Sequence, residues 1–415
     1  GDCVTTKFSN SWVNPWEPVR VELWSYKGQR LGLVGNYEEM TFTFADREAD
    51  TAELTLPLTS LTSLLVPCDG VVLVGMRIGG RTHLSTPVKA EVAAGDDPSQ
   101  AMVRVTTAGG WTLLDGELLP PSLDTPLNQQ TTPEFDVDGP LETVIKRLLE
   151  VGAKRTKHPI VILQDQGRGP DVHVHGKWES VGDVIKDVLN KTGYRLDLTG
   201  WLPGDPPPQE DISLTRPSIV ADVVPYERRE GLVWTVEAGD ITDWSMTHTR
   251  ASATVGIVGF EVDDPAKRVY GTMNGPTSGS PWETRETFKE YTEHKEIDDR
   301  APDPQRVWEG MQNEGQLLIN QSAGTVEADI AVDISNLWQL STDKTKSRSF
   351  DLGDWVEVHL PVLGRYTQLI KAVEVHVTPT EFTIRPIIGT PDTMDSDLYS
   401  NLANLSRRVD KLERS

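Results

Sequence analysis

The sequence predicts a mainly β protein with a small α+β insert and a helical C-terminus. Three patterns carry that reading. Apolar residues alternate with period two over residues 1–130 and again over about 215–390. Two amphipathic helical segments alternate with short strands over 131–200. An apolar stripe repeats at steps of four and three from Leu398 to Leu412. Side chains alternate faces along a strand and return to one face every 3.6 residues along a helix, so these periods assign the elements.

In the first segment Val19-Arg-Val-Glu-Leu-Trp24 alternates and Tyr26-Lys-Gly28 is a turn signal. Phe42 and Phe44 alternate, as do Leu54, Leu56 and Leu58. Val71-Val-Leu-Val74 reads as a buried strand, Arg77-Ile-Gly-Gly-Arg81 as a hairpin tip, and Met102-Val-Arg-Val105 as a further strand. Strands at this spacing predict a barrel or a sandwich.

From 131 to 200 the period changes. Asp138-Gly-Pro140 opens a helix with Leu141, Val144, Ile145, Leu148 and Leu149 on one face and Gly152 at its end. Pro159–Leu163 reads as a strand. Ser180 caps a second helix carrying Val181, Val184, Ile185, Val188 and Leu189, and Tyr194–Leu198 is again a strand. Val144-Ile-Lys146 and Val184-Ile-Lys186 hint at a duplicated αβ unit. Trp201-Leu-Pro-Gly-Asp-Pro-Pro-Pro-Gln209 reads as a stiff linker. Beyond it come a strand at Ala253–Phe260, a Gly/Pro/Ser-rich loop over 262–285, and a helix from Pro304 to Asn320 with Val307, Met311, Leu317 and Leu318 on its face. A meander of Trp355–Val358, Val373–Val377 and Phe382–Ile384 follows, with Gly353-Asp354 as its lead-in turn.

The C-terminal stripe fits a coiled-coil seam, with Leu402 and Val409 at a, and Leu398, Leu405 and Leu412 at d. Arg408 at g and Glu413 at e are spaced for an interchain pair, so these seven residues are the expected oligomerisation site. The same stripe also suits a helix docked on its own domain. Two heptads are too short to be stable alone, since isolated helices below ~12–15 residues are marginal in water.

Composition narrows the function. No run of eighteen apolar residues occurs, the usual length for a membrane helix. Gly1-Asp-Cys3 lacks the basic start and apolar core of a signal peptide. Cys3 and Cys68 are the two cysteines, too few for a disulfide framework or a four-thiolate zinc site, and they fit folding in a reducing cytosol. The net charge of −23 argues against a phosphate-gripping surface and suits either solubility or a wall past which DNA slides without sticking.

Catalytic patterns are absent from the sequence. His173-Val-His175, with His158 as a possible third ligand, has the spacing for a metal but no accompanying motif. Neither His-Glu-x-x-His, nor a phosphate-cradling glycine loop, nor a Gly-x-Ser-x-Gly elbow occurs. Asp263-Asp264 and Asp298-Asp299 read as solvated loop charges. No catalytic residue, metal ligand or cofactor is therefore assigned.

Several phrases carry a resemblance. Val21-Glu-Leu-Trp24 with Gly32 and the Met40–Phe44 strand resembles the opening of actinobacteriophage minor tail proteins. Ala52-Glu-Leu-Thr-Leu-Pro57 and Gly239-Asp-Ile-Thr-Asp-Trp-Ser245 are similar to later stretches of that family, and Asp351-Leu-Gly-Asp-Trp-Val-Glu-Val358 resembles the closing phrase of siphophage tail hub, or baseplate hub, proteins. The resemblance implies two β-barrel-like domains (1–130 and 215–392) flanking a small αβαβ domain (131–200) and a Pro-rich linker (201–214), with a C-terminal coiled-coil helix (393–415). It implies a non-enzymatic virion protein: a homotrimer at the tail tip, made in the host cytoplasm. Its neighbours would be the distal tail protein, the tape measure protein and tip or fibre proteins, and genomic DNA would pass through its lumen. The rival readings are a carbohydrate-binding adhesin, with Trp stacking on sugars, and a cell-wall hydrolase.

Overall fold

The computed structural model describes residues 19–95, 100–190, 192–260, 268–277, 279–291, 304–332 and 338–389. The first strands are β1 (Val21–Ser25), β2 (Arg30–Val34), β3 (Glu39–Ala45), β4 (Thr51–Pro57), β5 (Val72–Ile78), β6 (Arg81–Ala93) and β7 (Met102–Ala108). Helix α1 (Trp111–Asp115) leads into β8 (Phe135–Pro140), α2 (Leu141–Val151), β9 (Ile160–Ile162), β10 (Asp171–Gly176), α3 (Val181–Leu189) and β11 (Tyr194–Trp201). Then come β12 (Ser218–Pro225), β13 (Glu227–Thr235), β14 (Ile241–Thr249), β15 (Val255–Phe260), β16 (Val269–Asn274), β17 (Glu286–Tyr291) and α4 (Pro304–Gln321). The last strands are β18 (Thr325–Val332), β19 (Gln339–Leu340), β20 (Ser349–Phe350), β21 (Asp354–Leu360), β22 (Gly364–Val377) and β23 (Phe382–Gly389). The chain divides into two compact units, parting between Trp244 and Ser245 and between Ala328 and Asp329.

The larger unit is organised by a sheet in which β23, β22, β3, β4, β7, β6, β5, β1 and β2 are successive neighbours. β14 and β18 continue the path beyond β23, and β21 and β13 branch from β22. The path has two ends, so the described strands form no closed barrel, and the expectation of two β-barrel-like domains is corrected to an open sheet. The physical reason is a long-range pairing. β22 runs antiparallel to β3, with Ala372 opposite Ala45 and Val377 opposite Met40. Strands from the first 130 residues and from the final segment therefore share one ladder instead of each closing on itself. Alternation is strict where one face is buried: Ala52, Leu54 and Leu56 of β4 and Val356, Val358 and Leu360 of β21 point inward.

The αβ segment packs α2 and α3 on each other, burying Leu141, Val144, Ile145, Leu148, Val181, Ile185 and Leu189 with Leu196 and Val223 in one core. Its sheet has the order β11-β12-β9, with β12 antiparallel to β11 and parallel to β9. Ser180 caps α3 as expected, its hydroxyl accepting from Asp183 N at 3.3 Å. Pro140 is the N-cap of α2 and closes β8, so it sits one step before the first turn. Gly152 caps α2, but the chain continues in a π-helical turn to Thr156, closed by Lys157 at φ +57°.

In the smaller unit β15 is flanked by antiparallel β16 and parallel β17. The predicted loop over 262–285 thus contains a strand, β16, which the Gly and Ser residues around it obscured. Helix α4 lies on this sheet through Val307, Met311 and Ile319, all buried. Gly315 permits the approach, because a Cβ there would fall 2.6 Å from Met273 Cγ.

Candidate functional site

The seven residues expected to mediate oligomerisation, Leu398, Leu402, Leu405, Arg408, Val409, Leu412 and Glu413, lie outside the described residues, as do Asp263-Asp264 and Asp298-Asp299. The histidines fall in two places. His173 and His175 sit on β10 with ring centroids 5.5 Å apart, and His173 Nε2 contacts Asp136 Oδ1 at 2.6 Å. His158 instead contacts the buried carboxylate of Glu117, which also accepts from Thr156 Oγ1 at 2.9 Å. The three histidines are thus not brought together. Among the described residues no group of three His, Cys, Asp or Glu is placed to hold a metal.

What the closing phrase builds is a buried joint of charges. Arg81, the first residue of β6, is 5% exposed. Its Nε and Nη2 donate to the two oxygens of Asp351 at 2.5 and 3.0 Å, and its Nη1 donates to Asp197 Oδ1 on β11 at 3.0 Å. Arg195 Nη1 donates to the same Asp197 oxygen at 3.0 Å. Asp351 N donates to Asp354 Oδ2 at 2.7 Å, closing the turn. Arg229 Nε lies 2.6 Å from Asp354 Oδ2, an ion pair too bent for a hydrogen bond, while its Nη1 donates to Ser349 Oγ at 2.8 Å. Gly353 is required between the two aspartates. It has φ +83°, and a Cβ there would meet Arg195 Nε at 2.5 Å. Asp351-Leu-Gly-Asp354 is therefore a clasp for a guanidinium presented by a different part of the chain.

The electrostatics follow from burial. Desolvation opposes an ionised Asp197, yet Arg195 and Arg81 outweigh it and hold the carboxyl below its usual range. Burial likewise opposes the Arg81 cation, and Asp197 and Asp351 keep it charged. Asp50, whose Oδ1 accepts from Ala45 N at 2.9 Å, is less well compensated: burial pushes it up to about 7. Burial pushes Asp354 up to about 6, against the pull of Arg229. His83 lies edge-on to Phe42 and Phe44 and contacts Ser85 Oγ at 2.8 Å; burial lowers it to about 3, so it stays neutral.

A second network fastens α2 to its surroundings. Lys146 Nζ donates to Glu142 Oε1 at 2.6 Å and to Asp222 Oδ1 at 2.9 Å, and Arg168 grips the same two carboxylates. Burial works against the Glu142 charge, but Arg168 and Lys146 bring its carboxyl down to about 2. The two Val-Ile-Lys triplets diverge here: Lys186 lies 5.3 Å from the Trp111 ring centre and 3.0 Å from Asp115 Oδ1.

The charges of the clasp and of the α2 network are paired with one another inside the fold, which is the arrangement of a structural joint. Sequence reasoning marked Asp351–Val358 but missed its partner Arg81, which it read as a hairpin tip, and missed Arg195 and Asp197. A signal was present: in Tyr194-Arg-Leu-Asp-Leu-Thr199 the polar residues share one face of a strand that carries leucines on the other.

The family model of the siphovirus ReqiPepy6 Gp37-like protein matches residues 20–390. The chain belongs to that family. The expected kinship with siphophage tail proteins is borne out at this level. Solved structures share the fold. The 43 kDa tail protein of prophage MuSo2 from Shewanella oneidensis is 11% identical with a TM-score of 0.52, and the match covers 91% of this chain and 99% of that one. Prophage tail protein gp18 from Listeria monocytogenes is 11% identical with a TM-score of 0.50 over 94% and 99%. A tail protein from Neisseria meningitidis is 11% identical with a TM-score of 0.52 over 90% and 97%. No curated protein sequence matches the chain.

Two outcomes are expected of the joint. Replacing Arg81 by Met leaves Asp351 and Asp197 buried without their shared cation, and should cost on the order of 3–5 kcal/mol, read as a lowered denaturation midpoint. Asp50→Asn should change the pH dependence. The Asp50 pKa is raised by folding, so its contribution is fully present below its unfolded value and is lost as pH rises toward about 7. The thermal midpoint of the Asn variant minus that of the parent should therefore grow between pH 4 and pH 8; a flat difference refutes the assignment.

Proposed function

We propose that this chain is a structural virion protein of a phage tail: a tail hub, or minor tail protein, at the tail tip. The observation that carries the reading is the family match over residues 20–390 together with a fold shared along nearly the full length of three phage tail proteins. In this reading the hub joins the tail tube and distal tail protein to tip or fibre proteins, meets the tape measure protein, and closes and opens the channel through which DNA leaves. Residues 1–130 and 215–392 supply the β framework, 131–200 the αβ domain, 201–214 the linker, and 393–415 the axial helix of a homotrimer. The clasp at Arg81 suits such a part, because a hub must transmit load between segments distant in sequence. The net charge of −23 suits a lumen that does not retain DNA.

The reading as a non-enzyme is supported by the family match and by the fold shared with phage tail proteins. A carbohydrate-binding adhesin is the second reading, and one observation favours it: Trp282 is 89% exposed, as a ring that stacks on sugars would be. Binding of host-wall glycans by the isolated chain, abolished by Trp282→Ala, would replace the hub reading with that one; digestion of host walls in a zymogram would replace it with a hydrolase.

The deciding measurement is the solution mass by light scattering, with and without residues 393–415. The expected result is three times the 46.0 kDa chain mass, falling to a single chain on truncation. A monomer in both cases refutes a trimer of the free chain and leaves a hub that trimerises only on the tail, or an adhesin or enzyme whose last helix packs on its own body.

A further inference from the structure

Acidic residues outnumber Lys and Arg in this chain by 63 to 40, yet one cavity reverses the balance. It has a volume of about 310 Å³ and is walled by β13 and by the loop that joins β19 to β20. Arg228 and Arg229 line it from β13, and Lys344, Lys346 and Arg348 line it from the loop. Its carboxylates are Glu227 and Glu230. The lining thus sets five cations against two anions, on a body whose net charge is −23.

Two departures from regular backbone build these walls. In the β13–β21 ladder Arg228 pairs with Trp355 and Val233 with Glu357, so Arg229–Leu232 bulge out of it. Gly231, at φ +75°, turns the bulge. Bulges re-aim side chains, and here Arg229 is aimed at the loop. It donates to Ser349 Oγ at 2.8 Å and to Ser341 O at 3.0 Å, and its Nε lies 2.6 Å from Asp354, so it ties both ends of the loop. Within the loop Arg348 has φ +54°, a conformation that Gly and Asn take far more readily than arginine. Its carbonyl accepts from Gln339 N at 2.9 Å, and Ser349 pairs with Gln339 in the β19–β20 ladder, which hold the strained backbone in place. The strain is accounted for if a guanidinium is wanted at that point of the cavity. Arg229 is matched by Asp354, and Lys344 is paired with Glu227. Arg228, Lys346 and Arg348 are then set against the one remaining carboxylate of the lining, Glu230. Arg228 lies 3.9 Å from Glu357, at the limit of an ion pair, and its side chain is 71% exposed.

We propose that this cavity is a docking site for an acidic segment of a different protein, whose carboxylates meet Arg228, Lys346 and Arg348. Guanidinium groups pair with carboxylates through two parallel hydrogen bonds, and the volume admits a few side chains. A nucleic acid fits the site less well. Its grip needs cations repeated along a stripe, whereas these are gathered in one cavity on an acidic body. Glu227 and Glu230 would also repel phosphates, but they can accept from the N–H groups of a peptide. The site is independent of the trimer and of the hub reading.

The test titrates the full chain against fluorescein-labelled hexaglutamate, with hexaglutamine and oligothymidylate as comparison probes, and reads anisotropy. Hexaglutamate should bind and hexaglutamine should not. Arg228→Gln and Arg348→Asn should each weaken hexaglutamate binding by roughly 2- to 5-fold, the scale of an exposed ion pair, and the double variant should weaken it further. Lys89→Gln, at an exposed cation outside the cavity, should leave it unchanged. Both cavity positions are exposed and Asn keeps the left-handed backbone at 348, so unchanged thermal midpoints will show that the variants fold. Equal affinity of the parent and the double variant for hexaglutamate overturns the proposal. Oligothymidylate binding that the double variant loses overturns it in favour of a nucleic acid. Self-association that the double variant loses, read as a fall in solution mass, overturns the choice of a different protein and assigns the cavity to a second copy.

Discussion

The arrangement of the larger unit depends on one buried cation. Arg81 starts β6, Asp197 lies on β11, and Asp351 precedes β21, so a single guanidinium ties the first β segment, the αβ segment and the last β segment together. The partners are 116 and 270 residues away in the chain. A buried ion pair gains little net stability, because desolvating two charges offsets their attraction. Its leverage is on alternatives. Any packing that separates these segments leaves a naked charge in a low-dielectric interior, a far larger penalty than a mispacked leucine. The planar fork of Arg81 also fixes orientation, since both oxygens of Asp351 must align with Nε and Nη2.

Smaller devices repeat the same logic. Arg47, 3% exposed at φ +59°, donates through Nη2 to Leu189 O at 3.2 Å and so caps the C-terminus of α3 from the β3–β4 turn. Tyr226 Oη donates to Asp46 Oδ2 at 2.5 Å, and burial followed by that carboxylate raises its pKa, keeping the phenol a donor. Around the turn before β21, Trp234 stacks edge-on with Phe350 and Trp338 at 5.4 and 6.0 Å, and Trp338 Nε1 donates to Asp240 Oδ1 at 2.8 Å. Gly239-Asp-Ile, one of the phrases that carried the family resemblance, is thereby tied to the aromatic cluster beside Asp351.

Local periodicity made the elements legible. The helices at Leu141, Val181 and Pro304 and the strands at Val21, Leu54, Val103 and Val356 are all where the period placed them, because each buries one face and the buried face dictates the period. The strand at Val269 was hidden because Gly271 and Asn274 are weak strand formers, and because Met273 packs against a helix that local reading does not associate with it. On α4 the period correctly placed Val307 and Met311 on the buried face, and Ile319 joins them there while Leu318 is half-buried. The open sheet was beyond reach for a different reason: a strand's alternation states which face is buried but not which strand lies beside it. The pairing of β22 with β3 is such a choice, and so is the clasp, whose acid and base lie on segments that share no local pattern.

A chain this acidic also constrains how it can associate. The charges of the clasp and of the α2 network are paired with one another, so the excess of −23 is carried largely by the surface. Copies brought together therefore repel, most strongly at low salt, and a contact made mainly of charge pairs would have to find cations on a surface that is short of them. Burial of apolar surface does not meet that difficulty: its driving force, about 25 cal/mol per Å² removed from water, survives the ionic strengths at which the repulsion is screened.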